Sequence, residues 1–207
     1  MQNKTTAAIA GVILVAALMS LWFPQRSKIP AVNHNIQTSL GYVLAQEAAA
    51  AVHERGQVVA VVADFGASSS PFWREQWQAF TGELKKHPQI SLVSRAVGAD
   101  GKPVVLQEIV DQNAQAAGIV FFAGSPDFAE MQALASRTQG PKLILIGNPD
   151  VSARDYRGFF AAGSLAALVL PRSFSDLRPD EHPKTPREWF DKYYQVYTPQ
   201  NLDALPD

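Results

Sequence analysis

Three consecutive serines, Ser68, Ser69 and Ser70, are followed after one proline by Phe72 and Trp73, a group of hydroxyl and aromatic side chains able to meet a ligand. Ser125 and Asp127 repeat the hydroxyl and carboxylate chemistry further along. Both groups stand where loops are expected at the carboxyl ends of parallel strands, which is where such sheets bind ligands. The plainer reading is that the two rings pack beneath a helix or against a partner. Catalytic groupings are thinner. His34, His53, His87 and His182 are scattered. Asp180-Glu181-His182 could touch a metal, but adjacent charges in a proline-rich stretch are more often solvated. Ala162-Gly163-Ser164-Leu165 lacks the second glycine of a nucleophile elbow, and neither glycine-rich phosphate loop is present. With no cysteine, disulfides, thiolate catalysis, iron–sulfur clusters and thiolate zinc sites are excluded. No enzyme, cofactor or metal is therefore expected. A second group, Trp189, Phe190, Tyr193, Tyr194 and Tyr197, has the residue types enriched at protein interfaces. It could equally fold back over the sheet.

Alternating periodicity supplies the elements that position these residues. An apolar stripe at Ile36, Leu40, Val43, Leu44, Ala48 and Val52 predicts a helix over 36–55, stopped by Gly56. Strands are expected at 58–65, 90–97, 117–123 and 142–147, and helices at 71–86, 103–116 and 126–138. Two short apolar runs, 157–162 and 165–170, read as further strands. Strand–helix alternation with short loops implies an α/β fold, a parallel sheet with helices on both faces. Beyond Pro171 the chain turns polar and proline-rich, as a surface arm does. Residues 188–196 read as helical or extended.

Residues 6–23, TAAIAGVILVAALMSLWF, contain no charge. As a helix they span roughly 27 Å, close to the hydrocarbon thickness of about 30 Å. The run is longer than a signal-peptide core, and no clean A-x-A cleavage site follows it. A retained single-pass anchor in membrane lipid is the expectation. Lys4 on one side and Arg26 with Lys28 on the other leave its orientation open. The expected organisation is a transmembrane helix at 1–23, a stalk and linking amphipathic helix at 24–56, an α/β lobe at 57–171, and an arm with an aromatic segment at 172–207. Eighteen basic residues against nineteen acidic ones argue against nucleic acid as a partner.

Ser70-Pro71-Phe72-Trp73 after the first strand resembles the N/S-P-F-W segment of ribose-type periplasmic sugar-binding proteins. Gly98-Ala99-Asp100-Gly101 with Gln107 is similar to that family's second strand-to-helix passage. Ala117-Gly118-Ile119-Val120 with Ser125-Pro126-Asp127 resembles its D-G-I-V…P-x-D strand and loop, and 142–147 its lobe-closing strand. The similarity covers roughly 57–150. It implies a first lobe in which Phe72 and Trp73 stack on a sugar ring, with the lobe in the periplasm. The family often has an acidic or amide group where Ser125 stands. Only about 60 residues follow Gly147, too few for the second lobe the resemblance implies.

A lobe without its counterpart presents an uncovered face. The first reading is therefore a non-catalytic, membrane-anchored accessory or scaffold subunit of a larger membrane complex. It would dock other protein subunits through the loop residues at 68–73, 125 and 127 or through the aromatic arm. The alternative is an extracytoplasmic module for a small, sugar-like ligand, completed by a second chain.

Overall fold

A computed structural model describes residues 33–63, 71–97, 105–122, 126–135, 140–148, 151–173, 177 and 182–205. The expected membrane helix at 6–23 lies outside the described residues. Among those described, no helix is long and apolar enough to cross a membrane. His34–Asp207 forms one compact unit.

The elements alternate as the periodicity requires. Helix α1 (His34–Ala51) leads into β1 (Gly56–Ala63), α2 (Pro71–Leu84) and β2 (Ile90–Val97). Then follow α3 (Leu106–Gln112), β3 (Gly118–Phe121), α4 (Phe128–Ala135) and β4 (Lys142–Ile146). A 3-10 turn (Ala153–Tyr156), α5 (Arg157–Ala161), β5 (Leu165–Pro171), α6 (Pro186–Tyr193) and β6 (Tyr194–Tyr197) complete the chain, with a last 3-10 turn at Leu202–Ala204.

The sheet order is β2-β1-β3-β4-β5-β6. Strands β1 to β5 are parallel and β6 runs antiparallel to β5, so the sheet is mixed rather than wholly parallel. The connection from β1 to β2 runs one way across the sheet, and those from β2 through β3 and β4 to β5 run the other. Right-handed crossovers then put α2 on one face and α3, α4 and α5 on the opposite face. The core layers agree. Leu106, Ile109, Met131, Leu134, Phe159 and Phe160 pack with Val59, Val61, Ile119 and Phe121. Phe80 and Leu84 pack with Val58, Ala60, Val62, Val120 and Ile144 on the other side.

That geometry leaves the second face of the central strands short of cover, and α1 supplies it. Leu40, Val43, Leu44, Ala45, Ala48 and Ala49 are buried there. The sequence reading sets this helix before the lobe as a linking segment; the structure packs it into the lobe's core. Its end also differs. The helix stops at Ala51, and Glu54 N donates to Ala49 O (2.8 Å) while His53 N donates to Ala50 O (3.1 Å). This is the Schellman pattern, with His53 in the left-handed conformation (φ 51°) where glycine is usual.

Two further expectations are corrected. Arg157–Ala161 is a helix, not a strand, and buries Phe159 and Phe160 on the α3–α5 side. The C-terminal arm is not peripheral. Thr185 Oγ1 accepts from Glu188 N (3.2 Å) and Glu188 Oε2 from Lys184 N (2.7 Å), a reciprocal cap that starts α6 at Pro186. Helix α6 then packs Phe190 against the α1 layer, and β6 adds a strand to the sheet.

Candidate functional site

In an open parallel sheet, ligands bind outside the carboxyl ends of the strands where the strand order reverses. Here that point lies between β1 and β3, which neighbour each other while β2 lies beyond β1. Phe72 and Trp73 open α2, directly after β1. Asp127 precedes α4, directly after β3. Ser68, Ser69, Ser70 and Ser125 lie outside the described residues.

The two rings have different roles. Phe72 is 39% exposed, and Val105, before α3, is 36% exposed; among the described residues they are the large hydrophobics most open to solvent. Both stand at this edge. Trp73 is half-buried and packs against the α1–α2 layer, so the plain packing alternative holds for much of that ring. Asp127 is exposed, and its Oδ1 accepts from Ala129 N (2.7 Å), capping α4. That cap already uses one of the oxygens a ligand would need.

Sequence reasoning missed what braces the edge. Val105 gives α3 no side-chain cap, and Glu130 of α4 does so instead, its Oε2 accepting from Leu106 N (2.9 Å). Tyr156, buried, accepts from Asn148 N on its hydroxyl (3.2 Å) and holds the exit of β4. His34 contacts Glu75, linking the start of α1 to α2. Further along α2, Phe80 and Phe122 meet edge to face at 4.8 Å, with Trp77 at 5.8 Å from both. Nothing in the sequence signals the Glu130 cap, because its partner lies on another helix.

The aromatic arm divides. Phe190 (0% exposed) and Tyr197 are core residues and have no face left for a partner. Tyr194 stacks on Phe190 at 5.7 Å, and burial pushes its hydroxyl pKa up. Trp189 and Tyr193 stack at 6.1 Å, both half-buried on α6. Of the five, these two alone fit an outward role. The arm's folding back over the sheet is the reading the structure takes for the rest.

At the amino ends of the strands a groove of about 290 Å³ is lined by Glu47, His53, Lys142, Leu165 and Thr198. A second concavity of about 420 Å³ holds His53, Arg55, Lys86 and His87. Lys86 is committed to Glu83 (2.6 Å), and Lys142 donates to the Gly163 carbonyl. Among the described residues no three groups are placed to hold a metal. Burial raises the Glu47 carboxyl above its ordinary value, partly offset by Arg187. A carboxyl raised in the folded state disfavours folding once it ionises. The penalty is absent below the unfolded value of 4.5 and grows as pH rises through the folded one. Glu47→Gln is therefore expected to raise the thermal midpoint at about pH 7 and leave it unchanged near pH 3.5. Equal effects at both pH values would show that Glu47 acts through packing instead.

No family model matches the sequence, and no curated protein does. Solved structures match its fold. A carbohydrate-transporter solute-binding protein from Agrobacterium radiobacter, solved with D-arabinose, superposes with a TM-score of 0.56 at 16% identity, over 83% of this chain and 63% of that one. AraP, an arabinose-binding protein from Geobacillus stearothermophilus, gives 0.56 at 17% identity over 83% and 63%. XylFII in a complex with LytSN gives 0.53 at 14% identity over 81% and 68%. The chain thus spans about 63% of the first two proteins' length. Its fold is like that of the matched part of these sugar-binding proteins.

Proposed function

We propose that this chain is a non-catalytic binding module for a small, sugar-like ligand on the extracytoplasmic side, tethered through residues 6–23. The observation that carries the reading is the exposed Phe72 at the strand-order reversal between β1 and β3. A flat ring there complements the C–H face of a monosaccharide, and the serines at 68–70 and 125 and the free oxygen of Asp127 supply polar partners. The fold likeness to arabinose-binding proteins supports it and favours this reading over the scaffold subunit. The scaffold reading takes second place, because Phe190 and Tyr197 are buried and leave only Trp189 and Tyr193 of its aromatic arm.

One lobe covers about half of a ligand that a two-lobed clamp encloses. Titrating the full chain in mild detergent with D-arabinose and related pentoses is expected to give saturable binding no tighter than about 1 mM, or about 4 kcal/mol. Phe72→Ala, at an exposed position, should weaken it at least about tenfold without changing the melting temperature. Absence of any saturable signal from pentoses or hexoses up to about 50 mM would return the site to the scaffold reading.

A further inference from the structure

The two edges of the sheet are built differently. β6, four residues long, closes one side. β2 closes the other with eight residues, paired one for one with β1 and without a bulge. Exposed edges are ordinarily blunted by shortness, proline, bulges or lysine. β2 reads ISLVSRAV, with Arg95 as its one charge. Among the described residues no strand pairs with its outer side.

The direction of its backbone groups follows from a single bond. Gly56 N donates to Gln89 O (3.1 Å), which turns Gln89 and every second residue after it toward β1. Because Ile90 N donates to His87 O (3.0 Å), Ile90 aims only its C=O outward, while Leu92, Ser94 and Ala96 aim both N–H and C=O. Their side chains share the α1–α2 face, where Ile90 and Leu92 are half-buried. Val93 and Val97 are half-buried on the opposite face.

We infer that β2 pairs antiparallel with β2 of a second copy of this chain, across a two-fold axis at Val93. An axis normal to the sheet keeps each face on its own side, so each residue must oppose one of its own face. Centred on Val93, the axis sets Ser94 against the partner's Leu92 and Ile90 against the partner's Ala96. Apart from the Ile90 N–H, the backbone groups of these residues point outward, and together they form about six hydrogen bonds. Arg95 then meets the partner's Ser91. An axis at Arg95 would set two guanidinium groups together, and one at Ser94 would place Arg95 against the partner's Val93. The strand is thus self-complementary in charge and polarity in one register, and pairing extends both apolar layers past the edge. This occupant needs no sequence outside the chain itself.

The absence of native cysteine makes the register testable. At the axis the two Val93 positions form a non-hydrogen-bonded pair with Cα atoms about 4.5 Å apart, within disulfide range. Under mild oxidation in detergent, full-length Val93→Cys is expected to run mostly as a covalent dimer on a non-reducing gel. Ser94→Cys, diagonal to its copy at about 7 Å, should cross-link at least about tenfold more slowly. Adding Ser94→Pro to Val93→Cys removes only an outward donor, so it should leave the circular dichroism unchanged and suppress the cross-link. A Val93→Cys chain that stays monomeric overturns the pairing. So do two cysteines that react at the same rate, since chance encounter has no register.

Discussion

Phe80→Ala is expected to lower the unfolding free energy by about 3–5 kcal/mol. Domains of this kind are held by only about 5–15 kcal/mol, so the loss would be a large share of the total. Phe80 is fully buried, meets Phe122 edge to face at 4.8 Å and stacks with Trp77 at 5.8 Å. Its removal leaves a void between α2 and the carboxyl end of β3, with two rigid rings unable to collapse into it. Urea unfolding should show a lower midpoint with an unchanged slope. A loss below about 1 kcal/mol would mean that this cluster relaxes freely.

Gly41→Ala is expected to destabilise the chain by about 3 kcal/mol, at the top of the usual range for overpacking. A Cβ at Gly41 would lie 2.0 Å from Gln76 O and 2.9 Å from Gln76 C. Both are backbone atoms of α2 and cannot rotate aside, so α1 and α2 must separate. In an open helix position the same change adds up to about 1 kcal/mol of stability. Gly82, in α2, provides that control: nothing lies within 4 Å of its would-be Cβ. Gly82→Ala should be neutral to stabilising in the same urea titration. If Gly41→Ala matched it, α1 would be the loose linking helix of the sequence reading and not part of the core.

Much of the fold could be read from periodicity, and its failures have physical causes. Continuous apolar runs such as Val58–Val62 and Leu143–Leu145 announce strands buried on both faces, and they are. The run at 157–162 was ambiguous in kind: a short apolar stretch looks alike as a buried strand or a buried helical turn. The 3-10 turn ending at Tyr156 runs straight into it as α5. A local signal for α6 was present in Thr185-Pro186-Arg187-Glu188, a capping box with proline at the first helical position. Its aromatic residues suggested an interface because composition does not reveal which ring faces inward. At the candidate site, Phe72 and Asp127 were placed by their positions after strands. Val105, Glu130 and Tyr156 act through partners distant in sequence, so no motif marked them.

The sequence by itself determined the alternation of strands and helices and the absence of thiol chemistry. These depend on side-chain type and spacing along one segment at a time. Only the tertiary structure decided how the two faces of the sheet are covered. Right-handed crossovers in one direction carry α3, α4 and α5 to the same side. The apolar backs of β1, β3, β4 and β5 would then lie open to water over most of their length. α1 joins the core for that reason, and the C-terminal arm folds back as α6 and β6.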